Sequence, residues 1–536
     1  MASFATEVGV LDANCQEKVY PLLIVGAGQH ALSLITKLME PSFDNLEENP
    51  TNKVLFKSSG RDGQIYSKYR FLPDHIFTQK DATIRSKWRS ARRSESKHKA
   101  FLDNVCVIDK NKEWLMQWEH QFEVLGIPML RSTTRAHPDP VDPQCLRIHL
   151  EDNGERDSSV VTVNLDRDSR YHGPYEVPKT ATYNLFCKDI VKRYHLEQCI
   201  TQGTVVDVRV TFPGEETQDR RRKHIFEVRL GDGRLRLAKV VIFATGPLNI
   251  PVYPSFYTFL EATERKKIPP KHFRHSCSIL WAHNRISVHD LSAFENLLIV
   301  GGGLTAGHLA VRAINIARCN CVDGRAQHVS LLTRRPLQSR QFDLDLQWMG
   351  RERNSKLASF WSSSDYEERF RALLGAKNGG SMTPEVLREL DEGTQSGLFS
   401  RFEDDDIDYA YFDHDERKWE VRFRSSDEPF YFDCIWCATG TKIDVNEDPI
   451  FQGLLPYMTL VDERMPVLTD CLQVNEKINA FVMGEHAGLA LGPGSVNLMG
   501  GRAGAARIAE ALRGMLDFAP SHTTAEKERC VGEHNM

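Results

Sequence analysis

An apolar run, a glycine-rich turn and an amphipathic stretch follow one another near the start of the chain. Residues 19–25 are almost entirely apolar and lead into Gly26-Ala27-Gly28-Gln29-His30-Ala31. From residue 31 to residue 39 the apolar side chains then recur at helical spacing. This pattern predicts a buried strand, a tight turn and a helix.

The same pattern recurs in the middle of the chain. Residues 297–300 are an apolar run, Gly301-Gly302-Gly303-Leu304-Thr305-Ala306 is the turn, and a helix is predicted over 305–317. In such turns the first glycine permits the tight bend, the second lets a pyrophosphate approach the backbone, and the small alanine lets helix and strand pack closely. Free N–H groups at the helix N-terminus then meet the phosphates. Both turns predict dinucleotide binding, through Gly26, Gly28, Ala31, Gly301, Gly303 and Ala306.

An acidic residue after the second strand of such a unit usually binds a ribose hydroxyl. In the first unit the best candidate is Asp109, which ends the run Val105-Cys106-Val107-Ile108. Residues 41–103 are polar and rich in charge, and they are interpreted as an insertion. A rival second strand at 53–57 ends without an acid. The basic run at 85–99 leaves nucleic-acid binding or targeting open, but a solvated face is the favoured interpretation.

In the second unit the corresponding strand ends in arginines instead of an acid. The strand is predicted over 328–333, and Arg334 and Arg335 follow it. Guanidinium groups at this position would bind the 2′-phosphate of NADPH through charge-assisted hydrogen bonds, whereas an acid would favour NADH. The alternative is that one arginine covers the adenine or faces solvent.

Three further strands predict how the two units are joined. The strand at 240–243, which follows a β-meander begun at residue 204, leads into Ala244-Thr245-Gly246, and the strand at 434–437 leads into Ala438-Thr439-Gly440. A strand at 478–483 leads into Gly484-Glu485, a glycine-rich loop to 501 and a final helix at 503–515. The predicted fold is α/β, with two Rossmann-like dinucleotide-binding domains of three-layer ββα form. Residues 285–440 form the domain inserted into the other, which comprises 1–284 and 441–520, and 521–536 form a flexible tail.

Composition and cysteine spacing narrow the class of protein. The chain has 536 residues, 41% of them hydrophobic and 26% charged, which is typical of globular proteins of several domains. It has neither an apolar run of spanning length nor a secretory signal, so a cytoplasmic protein without a membrane partner is expected. Cys434 and Cys437 are three residues apart on a predicted strand, so their side chains leave opposite faces and form no redox pair. Cys319 and Cys321 lack partners at zinc-binding spacing, so no metal is expected.

The motifs resemble those of the flavoproteins that bind two dinucleotides. Within that group the chain is most similar to the flavin-dependent monooxygenases, particularly the lysine and ornithine N-hydroxylases. The stretch from Asp433 to Gly440 matches their pattern of an acid, three residues, an apolar residue and Ala-Thr-Gly, although Thr441 replaces the usual tyrosine. The Phe-x-Gly motif of related monooxygenases is absent before His275-Ser276. The resemblance covers about residues 19–512, apart from the insertion.

The resemblance implies FAD on the first turn and NADPH on the second. Glu485 stands where many relatives have an aspartate against the ribityl chain of FAD. Residues implied in cofactor binding, besides the two turns, Asp109 and the two arginines, are Thr245, Gly246, Thr439, Gly440, Gly484 and Glu485. The implied reaction is formation of a flavin C4a-hydroperoxide, which passes oxygen to a small nucleophile, most simply an amine, so the partners are a small substrate and O₂.

The flavin would carry the chemistry, and no catalytic side chain is firmly indicated. The candidates are Asn497, His137 and Asp343, with Asp139 and Asp345 as further substrate contacts, although loop-ordering or surface roles are favoured for the histidine and the acids. The alternatives are another NADPH-dependent flavin oxidoreductase or oxidase, and a non-enzymatic flavin-binding sensor or scaffold. A nucleic-acid partner is not expected, and a homo-oligomer is left open.

Overall fold

The computed structural model describes residues 18–40, 95–141, 143–154, 156–163, 175–212, 224–246, 250–282, 294–322, 327–349, 352–377, 379–513 and 515. The predicted rival strand at 53–57, most of the insertion and the predicted tail lie outside these residues. The α-helices of the described residues, numbered in chain order, are α1 Gln29–Met39, α2 Glu95–Leu102, α3 Met116–Leu125, α4 Cys145–Asp152, α5 Arg156–Ser159, α6 Thr180–Arg193, α7 Ser255–Thr258, α8 Ala262–Lys267, α9 Ser276–Leu280, α10 Leu304–Val322, α11 Arg353–Ser362, α12 Tyr366–Ala376, α13 Pro384–Gln395, α14 Gly488–Leu491 and α15 Leu498–Arg513.

The strands are numbered in the same way. They are β1 Val19–Tyr20, β2 Leu22–Val25, β3 Val105–Asp109, β4 Val160–Val163, β5 Tyr175–Pro178, β6 Ile200–Gln202, β7 Val205–Thr211, β8 Ile225–Leu230, β9 Leu235–Ala238, β10 Val241–Phe243, β11 Phe273–His275, β12 Asn296–Val300, β13 His328–Thr333, β14 Gln338–Ser339, β15 Ser381–Met382, β16 Phe399–Glu403, β17 Ile407–Asp413, β18 Lys418–Phe423, β19 Phe430–Phe432, β20 Cys434–Cys437, β21 Thr459–Val461, β22 Met465–Val467, β23 Gln473–Asn475 and β24 Ile478–Val482.

The first glycine turn belongs to a six-stranded sheet with the order β23-β24-β10-β2-β3-β6. All neighbouring strands are parallel except β23 and β24. The four residues of β2 are buried, as expected of a central strand in a sheet covered on both faces. Strand β24 comes from the C-terminal part of the chain and pairs with β10, so the end of the described chain completes the sheet that begins at residue 22.

The second glycine turn belongs to a five-stranded sheet with the order β11-β20-β12-β13-β16, in which all neighbours are parallel. In the sequence its strands all lie between β10 and β23. Apolar side chains on its two faces enter two separate core clusters, represented by Leu297 on one face and Leu298 on the other. Each parallel sheet is accompanied by a smaller antiparallel one: the meander β7-β8-β9, with β1 at its edge, and β17-β18-β19. The prediction of an α/β fold built on parallel sheets is confirmed.

Two local predictions need correction. The apolar run at 19–25 is two strands, because Pro21, which lacks an N–H group, separates β1 in the meander sheet from β2 in the six-stranded sheet. The final helix begins at Leu498 and not at residue 503, so the end of the predicted glycine-rich loop is helical.

Candidate functional site

The first glycine of the first turn is required by close packing of the backbone. Gly26 has a φ of +102°, and a Cβ there would lie 2.4 Å from the carbonyl oxygen of Ala244. Gly28, in contrast, has an ordinary φ, and no described atom lies within 4 Å of its Cβ position. The turn therefore touches the end of β10 through Gly26 and leaves open space at Gly28, immediately before α1.

The second turn repeats this geometry. Gly301 has a φ of +145°, and a Cβ there would lie 2.3 Å from the carbonyl oxygen of Ala438, at the end of β20. Space is again open around Gly303 within the described residues. Ala31 and Ala306, the small residues expected to allow close packing of helix and strand, are both fully buried.

Asp109 lies beside the first turn, as its position at the end of β3 predicts. One carboxylate oxygen accepts a hydrogen bond of 2.9 Å from the Ala27 N–H, and the other accepts one of 2.7 Å from the Asn111 N–H. Burial raises the pKa of Asp109, although these hydrogen bonds act in the opposite direction. Beyond it lies an open cavity of about 470 Å³, lined by Lys110, Gln202, Gly203, Thr204, Gly231, Asp232 and Arg234.

Arg334 and Arg335 follow β13 directly and are exposed. Neither guanidinium group forms an ion pair or a hydrogen bond with another described residue. The Arg335 carbonyl accepts a hydrogen bond of 2.7 Å from the Thr333 hydroxyl, which fixes the bend of the backbone after the strand. Both cations are therefore accessible at the end of the strand next to the second turn.

The two Ala-Thr-Gly segments directly follow strands β10 and β20. Gly246 and Gly440 both have positive φ, +74° and +87°. The chain that follows Gly246 runs back along the second segment, because the Val252 N–H donates to the Gly440 carbonyl at 3.0 Å and the Thr439 hydroxyl donates to the Val252 carbonyl. Thr245 and Thr439 thus belong to connections that are joined by hydrogen bonds.

His275 lies beside the second of these segments. Its Nε2 is 3.4 Å from the Thr439 hydroxyl, and its Nδ1 accepts a hydrogen bond of 3.2 Å from the Cys277 N–H at the start of α9. Burial lowers the pKa of His275 to about 4. The ring is therefore neutral near pH 7, which suits its role as an acceptor at the helix start.

The closing segment places Glu485 and Asn497 in contact with residues that the motifs did not single out. Gly484 has a φ of +77°, and the carboxylate of Glu485 forms an ion pair with Lys377, which follows α12. The His30 ring donates from Nε2 to the Asn497 carbonyl at 3.2 Å when that nitrogen carries the proton. His30 also packs over Gly501, where a Cβ would lie 2.4 Å from its ring. The glycines of the closing segment therefore allow contact between α15 and the first turn.

His137 and Asp139 are buried and bind other parts of the protein. Asp139 forms an ion pair of 2.7 Å with Arg193, and Arg502 donates to the carbonyl oxygens of His137 and Asp139 at 2.7 and 2.6 Å. Burial raises the pKa of Asp139, but the charge of Arg193 and the hydrogen bonds from Arg193 and the Val141 N–H outweigh it and hold the pKa below its usual value. Burial, helped by the charge of Arg502, lowers the pKa of His137 to about 3. Through these contacts both residues order the loop that contains them.

The loop at 340–345 carries the other two candidate acids. Asp343 is half-buried, and the exposed Asp345 accepts a hydrogen bond of 3.3 Å from the Gln347 N–H. The start of the loop is held by Arg131, whose Nε and Nη2 donate to the carbonyl oxygens of Gln341 and Arg340, both at 2.8 Å. Its end is held by a bridge between Leu344 and Lys377. Sequence reasoning missed Arg131 and Lys377 because their partners are distant in the chain.

The cysteine geometry agrees with the prediction for β20. Cys434 belongs to the core cluster on one face of the five-stranded sheet, and Cys437 belongs to the cluster on the other face. Burial raises the pKa of both thiols. Within the described residues there is no group of three or more His, Cys, Asp or Glu side chains that could hold a metal ion. In the same part of the chain no helix is long and apolar enough to cross a membrane.

Solved structures supply the relevant comparison. The chain is similar to the reduced form of ornithine hydroxylase from Pseudomonas aeruginosa, with 13% identity, a TM-score of 0.60, and coverage of 92% of this chain and 99% of that one. It is similar to an ornithine N-hydroxylase from Kutzneria sp., solved with reduced FAD, NADP⁺ and L-ornithine, with 13% identity, a TM-score of 0.58, and coverage of 93% and 100%. It is also similar to an FAD-bound cadaverine monooxygenase from Erwinia amylovora, with 13% identity, a TM-score of 0.57, and coverage of 94% and 96%.

These similarities establish a shared fold over nearly the whole length of each chain. The predicted resemblance of this chain to the N-hydroxylating flavoprotein monooxygenases is therefore confirmed at the level of the fold. No protein-family model matches the sequence, and no curated protein sequence matches it.

Proposed function

We propose that this protein is an FAD-dependent, NADPH-using monooxygenase that transfers one oxygen atom to a small amine. The observation that carries the proposal is the repeated turn geometry. In each parallel sheet a glycine of positive φ packs against the carbonyl that ends a neighbouring strand, and a second glycine nearby leaves open space before a long helix. Such a turn suits the pyrophosphate of a dinucleotide, because the first N–H groups of a helix have no partner within the helix and no Cβ blocks the approach of the ligand.

The first turn binds FAD, and the second binds NADPH. Asp109 lies where it can accept hydrogen bonds from the adenosine ribose, and the cavity next to it suits the adenosine end. Gly484, Glu485 and the loop before α15 bind nearer the flavin. Residues 285–440 form the NADPH-binding domain, inserted into an FAD-binding domain of 1–284 and 441–520. Arg334 and Arg335 bind the 2′-phosphate, since they are accessible and free of acidic partners among the described residues.

The reaction consumes one NADPH, one proton and one O₂ for each amine, and it yields a hydroxylamine, NADP⁺ and water. When bound, FAD supplies the redox chemistry by accepting a hydride from NADPH and activating O₂. The protein's own residues bind and orient both nucleotides and keep water from the reacting atoms. The neutral His275 and Thr439 keep the connection between the domains ordered next to the second turn. An amine substrate is proposed because the solved structures with this fold include ornithine and cadaverine monooxygenases.

The test is turnover by the purified protein. We expect a yellow protein whose flavin absorbance is bleached anaerobically by NADPH and returns when air is admitted. With a panel of primary amines, NADPH consumption should yield hydroxylamine in the presence of substrate and hydrogen peroxide in its absence. Stoichiometric peroxide with every amine would support an NADPH oxidase instead, and a protein that binds no flavin would refute the proposal.

A further inference from the structure

The outer face of the sheet β17-β18-β19 exposes three tyrosines. The inner face of this sheet packs against the five-stranded sheet through side chains such as Phe412 and Trp419, which share a core cluster with residues of β12 and β20. Because side chains alternate along a strand, Tyr409, Tyr411 and Tyr431 point the other way. They are 45, 50 and 56% exposed. The outer face is therefore turned away from the five-stranded sheet and accessible to a partner.

Two of the tyrosines flank an acidic side chain. Tyr411 on β17 is opposite Glu420 on β18, and Glu420 is opposite Tyr431 on β19. Directly opposed residues of antiparallel strands point to the same face, with their Cβ atoms about 5 Å apart. We call Tyr411, Glu420 and Tyr431 the tyrosine row. Among the described residues no cation forms an ion pair with Glu420, including Lys418 two residues away on the same strand.

The neighbouring row on the same face contains its own cation. Tyr409 is opposite Arg422, whose guanidinium group lies over the Tyr409 ring at 6.0 Å. The same guanidinium group forms an ion pair of 2.7 Å with Asp408. That row thus combines an aromatic ring, a carboxylate and a cation. The tyrosine row has two rings and a carboxylate, and a cation from a ligand would complete it, because the faces of aromatic rings attract positive charge.

The charge around the tyrosine row also favours a cationic ligand. Residues 403–433 include twelve acidic and four basic side chains, whereas the whole chain has a net charge of −5. The acidic excess of the protein is therefore concentrated in and around this small sheet. Such a field attracts a positively charged partner and repels both nucleic acid and the same face of a second copy.

We propose that the tyrosine row is a docking site for a lysine-rich segment of a partner protein. One ammonium group lies between the two rings next to Glu420, and further lysines interact with the surrounding acids. A single exposed contact between a cation and a ring contributes only about two- to fivefold in affinity, so a small amine gains little here. A segment with several lysines adds such contacts together on one chain. This inference does not depend on the proposed flavin chemistry.

The test measures binding of a fluorescein-labelled octalysine peptide to the full-length flavin-loaded protein by fluorescence anisotropy, in about 0.15 M salt. Replacing both Tyr411 and Tyr431 with threonine, which also suits a strand, should weaken binding about tenfold. Replacing both with phenylalanine should retain the affinity, because the rings are kept. Glu420→Gln should weaken binding at least about threefold. The matched control is Glu416→Gln, an exposed acid in the turn after β17, for which we expect a change of less than about twofold.

Three results would overturn the inference: no binding of octalysine by the wild type, equal losses in E416Q and E420Q, or full affinity in the threonine variant. Sedimentation velocity of the wild type and E420Q tests the other occupant, because a self-association that E420Q abolishes would assign the row to a second copy instead. NADPH should reduce the flavin equally fast in every variant, and slower reduction would place the row in the cofactor site. Circular dichroism checks folding, and the phenylalanine and glutamine variants keep the test decisive if the threonine variant does not fold.

Discussion

At the scale of single residues, the two glycines of each turn have different physical roles. Gly26 and Gly301 combine a positive φ with contact to a backbone carbonyl, so any side chain there strains the fold. Gly28 and Gly303 have neither constraint within the described residues, so the protein itself tolerates a Cβ at these positions. A requirement for glycine at the second position therefore comes from a ligand.

This difference predicts opposite effects of two alanine substitutions. Gly26→Ala should destabilise the protein by about 3 kcal/mol or more, because the strained backbone and the clash with Ala244 add together. Gly28→Ala should change the unfolding free energy by less than about 1 kcal/mol but weaken FAD binding at least about tenfold, because its methyl group would occupy the space proposed for the pyrophosphate. Urea denaturation and flavin titration measure the two effects. Gly375→Ala, on the exposed surface of α12, is the control that should affect neither flavin binding nor folding strongly. Full flavin affinity in Gly28→Ala would contradict the assignment.

The two arginines after β13 predict the choice of nicotinamide cofactor. Changing both Arg334 and Arg335 to alanine should raise the KM for NADPH by about tenfold to a hundredfold, because the proposed charge-assisted bonds to the 2′-phosphate would be lost. The KM for NADH, which lacks that phosphate, should change little. Steady-state kinetics with both cofactors measures this. R371A, at an exposed arginine on α12, is the control for general loss of positive charge. An equal loss for NADH and NADPH would rule out the phosphate contact.

At the scale of elements, one short buried loop joins three helices. In the loop at 137–139 the Pro138 carbonyl accepts a hydrogen bond from the Thr36 hydroxyl of α1. Asp139 forms an ion pair with Arg193 of α6, and the His137 carbonyl accepts a hydrogen bond from Arg502 of α15. Helices α1 and α15 also pack against each other, which the glycines of α15 make possible. The loop therefore stabilises the arrangement of helices around the first turn.

This loop predicts a loss of stability in acid. His137 has a pKa of about 3 in the folded protein and the usual value of 6.5 when unfolded. Between these values the unfolded chain binds more protons, so the free energy of unfolding falls as the pH falls below about 6.5, by at most about 1.4 kcal/mol per pH unit for this group. Urea denaturation between pH 7 and pH 5 should show the decrease, and a His137→Gln variant should show a shallower one. Identical slopes for the two proteins would exclude His137 as a source of the acid sensitivity.

At the scale of the whole molecule, helices α11 and α12 connect the two parallel sheets. They lie in the chain between β13 and β16 of the five-stranded sheet, and they contact the segment that follows β24 of the six-stranded sheet. Helices α11 and α12 share an apolar cluster with Val461, Met465 and Leu489. Trp361 donates from Nε1 to the Ala490 carbonyl at 2.8 Å, and the Arg507 guanidinium lies over its ring at 5.3 Å. The Lys377–Glu485 ion pair joins the end of α12 to the same segment after β24.

These contacts predict graded effects at Trp361. Trp361→Phe should cost about 1 kcal/mol, because the ring is kept and Arg507 still donates to the Ala490 carbonyl. Trp361→Ala should cost about 3 kcal/mol, because it opens a cavity between α11 and α14. Denaturant unfolding followed by tryptophan and flavin fluorescence should show both signals changing in one transition. Separate transitions in the wild type would indicate that these contacts do not couple the two parts.

Short stretches of sequence encode the local elements of this protein. A strand, a glycine turn and a helix are encoded by neighbouring residues, so β3, β12, β13 and β20 were predictable nearly to the residue, as was the position of Asp109 beside the first turn. The division of the run at 19–25 into β1 and β2 was not. The contacts between these elements depend on the tertiary structure. The contact of Gly26 with Ala244, the pairing of Lys377 with Glu485 and the hydrogen bonds of Arg131 to the loop at 340–345 depend on segments far apart in the chain. No local pattern encodes such distances, because they follow from how the two sheets and the helices between them pack.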